Sequence, residues 1–229
     1  MIQLRERRCV LFDVDGTVAE TEGNAHLPAF NLAFEQTGLA WRWSRDDYHY
    51  LLKTTGGYER LLRYAEDHGH DVQGMREQLT AVHHAKNKHY AQIIAAGTVP
   101  ARQGFADLVL ALHAKEIRWG VVSTTMRANW HALWTHSLQP LGLPDPSVIV
   151  CGEDVAVKKP DPEAYQVALE RLGLESSECC AIEDSRNGLL AAKGAGLDVA
   201  IVCSEFFGDE HFEEAEQVVA ELTELVNSV

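Results

Sequence analysis

Arg8-Cys9-Val10-Leu11-Phe12-Asp13-Val14-Asp15-Gly16-Thr17 is the stretch that decides the fold. An unbroken apolar run, Cys9 to Phe12, stops at two carboxylates spaced i and i+2, and Gly16-Thr17 then breaks the run. A short apolar run bounded by turn residues predicts a strand buried on both faces. Residues i and i+2 of an extended chain point to one side, so Asp13 and Asp15 are expected to converge just beyond the strand end. Two carboxylates that close repel unless a cation lies between them or one keeps a proton. Such a pair suits a metal-assisted nucleophile beside a general acid/base. It also fits two solvated acids at an ordinary strand end.

Working outward, similar runs recur at Arg118–Ser123, Ser147–Cys151, Cys179–Ile182 and Val199–Cys203. Helical patterns separate them at Gly104–Lys115, Arg127–Leu138, Pro162–Leu172 and Arg186–Ala195. This alternation predicts an α/β fold, a Rossmann-like doubly wound parallel sheet. More than a hundred residues lie between the first and second runs, too many for one crossover. Leu27–Glu35, Asp46–Leu52, Glu59–His68 and Arg76–Ala95 all read as helix, interrupted at Gly56-Gly57. Residues 22–96 are therefore expected to form a helical cap inserted after the first strand, above Asp13 and Asp15. Residues 1–21 and 97–229 form the core domain.

Composition narrows the class. With 46% hydrophobic residues the chain is globular, and a formal charge of −14 argues against gripping nucleic acid or anionic membranes. Between residues 194 and 229 there are nine Asp or Glu and no Lys or Arg, which reads as a solvated helical face. The five cysteines have no zinc or redox spacing. Neither a signal segment nor a membrane-length apolar run is evident, so a cytoplasmic monomer acting on a small molecule is expected. His83, His84 and His89, with Lys86 and Lys88 on the same helical stretch, read as a solvated face.

The later strands also end in chemistry. Ser123-Thr124-Thr125 offers a hydroxyl and free backbone N–H groups suited to phosphate oxygens, or simply a helix cap. Lys159, before the rigid Pro160-Asp161-Pro162, is the candidate for an inward ammonium, and Lys158 beside it reads as a surface lysine. Glu183 and Asp184 join Asp13 and Asp15 as a hard-oxygen cluster suited to Mg²⁺ rather than zinc. Asn187-Gly188 and Gly194-x-Gly196 suit a tight turn and close helix–sheet packing. In open α/β sheets, ligand sites lie outside the carboxyl ends of the strands, where all these motifs fall.

Together they resemble the haloacid dehalogenase superfamily, with Asp13-Val14-Asp15-Gly16-Thr17, Ser123, Lys159 and Glu183-Asp184 as its four motifs. Within it the chain is similar to the CbbY family of carbon-fixing organisms. Ala19-Glu20-Thr21-Glu22, Leu51 to Gly57 with Glu59-Arg60, Asn129 and Ala181 to Ser185 carry that likeness. The resemblance implies a Mg²⁺-dependent phosphatase of xylulose 1,5-bisphosphate, an inhibitor of Rubisco. A β-phosphoglucomutase-like phosphomutase, a phosphoglycolate-type phosphatase and a metal-binding receiver-like module are the alternatives.

It further implies that Asp13 is nucleophile and metal ligand, and Asp15 proton shuttle and metal ligand through its backbone oxygen. Glu183 and Asp184 complete the metal set, and Ser123, Thr124 and Lys159 hold phosphoryl oxygens. Glu22, Tyr48, Gly56, Gly57, Arg60 and Asn129 would face the substrate. His26 fits either the site or a helix surface. Tyr58 stands where the family carries lysine, which leaves a second phosphate to Arg60, unless Arg60 is itself a surface group.

Overall fold

Six parallel strands make one sheet in the computed structural model, which describes residues 2–229. They are β1 (Cys9–Phe12), β2 (Arg118–Val122), β3 (Ile149–Val150), β4 (Cys179–Glu183), β5 (Asp198–Val202) and β6 (Gln217–Val219). Their spatial order is β3-β2-β1-β4-β5-β6. The order runs one way from β1 through β2 and β3, and the other way from β4. The crevice of a doubly wound sheet opens where that direction changes, at the carboxyl ends of β1 and β4. Phe12 is level with Val121 on one side and Ile182 on the other, so Asp13, Ser123 and Glu183 leave the sheet nearly together.

Side chains alternate across β1. Val10 and Phe12 enter one buried cluster, where Phe12 meets Phe105 and Trp119 edge-on at 5.5 and 6.1 Å. Cys9 and Leu11 enter the other, with Val150, Tyr165, Ala181 and Leu189. Helices α5 (Phe105–Ala114), α6 (Arg127–Leu133), α7 (Glu163–Leu172) and α8 (Arg186–Gly194) cover the two faces. The helix expected to reach Leu138 changes its winding at Trp134.

Between β1 and α5 lie α1 (Leu27–Gln36), α2 (Arg45–Leu52), α3 (Gly57–Asp67) and α4 (Val72–Ala95). Ser44 starts α2 with a capping box, its hydroxyl receiving Asp47 N–H while Asp47 receives Ser44 N–H. Phe30, Phe34, Trp43, Tyr48, Leu61 and Leu79 give this helical cap its own core. Ala25, Ala29, Tyr90 and Ile94 pack instead into the sheet-side cluster, which anchors both ends of the cap over the crevice.

The acidic C-terminal stretch departs from its helical expectation. It contains β5, β6 and only a four-residue α9 (Thr223–Val226). Its carboxylates bind structure: Glu214 pairs with Arg186 at 2.5 Å, and Glu216 with Lys193 at 2.7 Å and with Val199 N–H at 2.6 Å. A three-residue strand is too short to impose a period that the sequence could display. No helix among the described residues is long and apolar enough to cross a membrane, and all five cysteines are free thiols.

Candidate active site

Asp13 stands just past β1, its N–H still paired to Ile182 C=O at 3.0 Å. Its Oδ1 accepts from Lys159 Nζ at 2.7 Å, and the same ammonium donates to Glu183 Oε1 at 2.6 Å and Val122 C=O at 2.7 Å. Tyr165 O–H also donates to Glu183 Oε1, at 2.5 Å. Lys159 is therefore the inward ammonium, 5% exposed.

Glu183 Oε2 and Asp184 Oδ2 are buried with no partner. Oxygens of Asp13, Glu183 and Asp184 lie within 4.8 Å of one another. Buried orphan carboxylate oxygens at this spacing fit a hard divalent cation such as Mg²⁺. Glycine shapes the surroundings. Gly16 holds φ +93°, and a Cβ there would come within 2.0 Å of Asp184 Oδ2, while one at Gly188 would come within 1.9 Å of Glu183 Oε2.

Asp15 lines the same cleft as Asp13. Its carboxylate accepts from Thr21 O–H at 2.5 Å and meets His26 Nε2 at 3.1 Å, and it is not among the carboxylates gathered within 4.8 Å of one another. The strand ends at Phe12, and the chain then turns, with Gly16 N–H on Ala19 C=O and Val18 N–H on Val14 C=O. His26 belongs to the site, stacked on Tyr90 at 4.3 Å, rather than to a helix surface.

The two aspartates are driven apart electrostatically. Burial pushes the Asp13 carboxyl up to about 8 against the pull of Lys159, with Glu183 and Asp15 adding repulsion. Burial, Asp13 and Glu183 raise Asp184 well above its usual range. At Asp15 burial is outweighed by His26 and by the Thr21 hydrogen bond, which hold it down at about 2. Asp15 is thus ionised before substrate arrives.

These shifts set a pH dependence. A carboxyl whose folded pKa exceeds its unfolded value costs stability as pH climbs from the unfolded pKa, about 4, through the folded one. A divalent cation binds the ionised form and removes that cost. Mg²⁺ at about a hundred times its Kd should add ~2.7 kcal/mol, roughly 5–10 °C in Tm, at about pH 8. The gain should shrink towards about pH 5, where protons compete for the same oxygens. Melting curves with Mg²⁺ and with EDTA check this, and an equal gain at both pH values would refute it.

The cap supplies the other wall of an open cleft lined by Asp13, Asp15, Glu22, Arg60, Lys86 and Ser123, among others. Glu22 is buried and accepts the Tyr48 hydroxyl on Oε2. Arg60 donates to Tyr48 Oη at 3.0 Å, Glu22 Oε1 at 3.3 Å and Thr54 C=O at 3.0 Å, so its charge is largely matched by Glu22. Gly56, Gly57, Tyr58, Thr124 and Asn129 border the same cleft. Tyr58 meets His83 edge-on at 5.9 Å. Ser123 is buried, its Oγ accepting Thr125 N–H at 3.1 Å. Tyr48 and Glu183 stand behind the lining, fully buried.

Of the two lysines expected at the surface, Lys158 stays partly exposed, 28% at its side chain, and pairs with Glu59 of α3 at 2.5 Å. Lys86 is 3% exposed and faces the cleft, with its ammonium 5.1 and 5.4 Å from the Phe30 and Tyr90 ring centroids. Among the described residues it has no carboxylate partner, only Asn87 Oδ1 at 3.4 Å. Burial brings its pKa down to about 8, opposed by Glu22 and Asp15. His83, also expected in solvent, is half-buried and held at about 4 by burial and by Lys86. A signal was available: Leu79, Val82, Lys86, Tyr90 and Ile94 share one helical stripe, and a lysine on an apolar stripe is out of place in solvent.

Residues 7–196 match the haloacid dehalogenase-like hydrolase family. The chain is 40% identical over 218 residues to the CbbY protein of Rhodobacter capsulatus, covering 95% of each. It is 34% identical over 215 residues to a CBBY-like protein of Arabidopsis thaliana, covering 91% of this chain and 67% of that one. Crystalline CbbY from Rhodobacter sphaeroides in complex with phosphate superposes with a TM-score of 0.84 at 36% identity, over 96% of both chains. A mutant of that protein in complex with xylulose 1,5-bisphosphate gives the same TM-score at 35% identity, again over 96% of both. The β-phosphoglucomutase of Clostridium difficile, at 21% identity and a TM-score of 0.78 over 96% of this chain and 93% of that one, shares the fold.

Proposed function

The chain belongs to the haloacid dehalogenase-like hydrolase family and is a phosphatase. From that premise we propose a Mg²⁺-dependent enzyme that dephosphorylates a sugar phosphate, xylulose 1,5-bisphosphate, through an aspartyl-phosphate. The observation that carries this reading is the pairing of two features in one cleft. A buried Lys159 holds Asp13 at a carboxylate cluster, and the cap opposite holds Lys86, a buried cation with no carboxylate partner.

Asp13 Oδ1 is occupied by Lys159, so Oδ2 is the attacking oxygen. It forms a bond to phosphorus as the ester P–O bond breaks, and the departing sugar oxygen takes a proton from Asp15. Asp15 starts ionised and takes that proton from solvent, as the entering phosphate raises its pKa by like-charge repulsion. Having given it to the sugar oxygen, Asp15 accepts a proton from the water that attacks phosphorus; the Asp13–phosphorus bond breaks and phosphate leaves. The Ser123 hydroxyl and Thr124 N–H hold phosphoryl oxygens. Lys159 keeps Asp13 oriented and offsets its charge. Asp13, Glu183, Asp184 and the Asp15 backbone oxygen would hold Mg²⁺, which would supply positive charge to the phosphoryl oxygens.

Residues 22–96 act as the substrate-selecting cap. Lys86 takes the second phosphate, and Arg60 with Glu22 and Tyr48 holds the sugar hydroxyls. This assignment compensates for Tyr58, which brings a hydrogen bond but no charge. The relative that carries xylulose 1,5-bisphosphate supports that substrate. Four of the five free thiols are buried, which suits the cytoplasmic setting we assign.

Phosphate release from xylulose 1,5-bisphosphate, ribulose 1,5-bisphosphate, fructose 1,6-bisphosphate, phosphoglycolate and glucose 1-phosphate tests the reading. The expected result is Mg²⁺-dependent release with xylulose 1,5-bisphosphate preferred. Interconversion of glucose phosphates without net phosphate release would overturn it in favour of a mutase. Lys86→Met should raise KM for the bisphosphate about 10–100-fold, the loss of one charged hydrogen bond, while p-nitrophenyl phosphate turnover changes little.

A further inference from the structure

Lys158 lies in the loop after β3, and Glu59 lies in the first turn of α3 on the cap. Their contact, Nζ to Oε1 at 2.5 Å, spans 99 residues of sequence and joins core to cap across the cleft. The pair borders the catalytic cleft on one side. On the other it borders an outer groove with Lys53, Val157 and Pro160. It rests on Gly56, whose φ is +103°. A Cβ there would come within 2.1 Å of Glu59 Oε2 and 2.6 Å of Lys158 Nζ, so both charged ends pack directly against the bare Cα. A second, neutral contact crosses the same seam, Asn187 Nδ2 to Thr55 Oγ1 at 3.2 Å.

We propose that Lys158 and Glu59 are a positioning pair, a charge latch that holds the cap closed over the site and sets the open–closed equilibrium. The physics suits a latch that must release. Side-chain exposures of 28% and 41% put the pair at the edge of solvent, while Glu59 Oε2 is itself buried without a partner, so opening the seam gives that oxygen access to water. Partly exposed pairs of this kind shift an equilibrium by about fivefold, ~1 kcal/mol, which biases a lid without locking it. Glu59 also sits in the first turn of its helix, where a carboxylate is favoured, so the cap-side partner keeps its charge. Closure matters because water must leave before Asp13 attacks. The inference rests on the reading of residues 22–96 as a mobile cap.

The test is a double-mutant cycle on the full chain: Glu59→Gln, Lys158→Gln, the double variant, and the charge swap Glu59→Lys/Lys158→Glu. Hydrogen exchange is read without substrate over residues 97–103, which link α4 of the cap to α5 of the core and serve as the hinge in this reading. KM and kcat are read on both p-nitrophenyl phosphate and the bisphosphate. Each single variant should speed hinge exchange and raise KM about fivefold on both substrates, with kcat changed far less. The double variant should match the singles, and the swap should restore much of the wild-type behaviour. Multiplicative singles, about 25-fold in the double, would overturn the latch. So would a Lys158→Gln effect confined to the bisphosphate, which would make Lys158 a substrate ligand. Unchanged hinge exchange with phosphatase activity intact would reject the latch alone. Altered hinge exchange without turnover on any phosphate would instead reject the proposed function.

Discussion

Asp13→Asn is expected to abolish phosphate release, by at least about 10⁴-fold, while the folded protein persists. The amide keeps the carboxylate's shape but cannot supply an anionic oxygen to phosphorus. Folding should not suffer, because burial already pushes the Asp13 carboxyl up to about 8. Replacing it with a neutral group removes like-charge repulsion with Glu183 and Asp15. Tm without Mg²⁺ should therefore hold or rise above about pH 7, and the Mg²⁺-induced gain should shrink. Quench-flow with radiolabelled substrate checks the intermediate directly: label should stay on wild-type protein after acid quench and be absent from the variant. Full turnover by the variant would remove Asp13 from the nucleophile role.

Lys159→Met should be as severe for activity and far worse for stability. The ammonium satisfies Asp13 Oδ1, Glu183 Oε1 and Val122 C=O at once, from a site 5% exposed. Removing it strands two buried carboxylates and a carbonyl, a loss of about 3–5 kcal/mol. The sign with pH follows. Without Lys159 the Asp13 carboxyl is raised further, so its protonation relieves part of the penalty in acid. The Tm deficit should be smallest near about pH 5 and grow towards about pH 8. Urea unfolding at the two pH values measures it. A deficit independent of pH would mean that lost packing against the Tyr165 ring, 5.0 Å from the ammonium, is the main cost.

Legibility followed how local each feature was. The run Cys9–Phe12 is a strand with the same bounds in sequence and structure, because a four-residue apolar run ending in acids and glycine leaves no other way to bury itself. Lys159 was readable as inward because Pro160 and Pro162 stiffen the chain around it. The C-terminal acids are exposed as expected but, outside α9, not helical, since β6 is three residues long and its neighbours Glu214 and Glu216 pair with Arg186 and Lys193 at the surface. Lys86 was misread because its charge outweighed its position. On α4 it occupies a core register, where Phe30 and Tyr90 faces partly replace the water it loses.

The sequence by itself determined the parallel sheet, the helical insert after β1, and which residue types gather at the strand ends. These follow from hydrophobic period and turn residues, which act over a few neighbours. Only the tertiary structure decided what the carboxylates and cations do to one another. The fold places the Asp15 carboxylate on His26 and Thr21, and the Asp13 carboxylate on Lys159. The packing of α4 turns Lys86 into the cleft, and the approach of α3 to the loop after β3 brings Glu59 to Lys158. Charge acts through space and its strength depends on burial, so a site whose partners, such as Lys159 and Asp13, lie 146 residues apart takes its electrostatics from the fold.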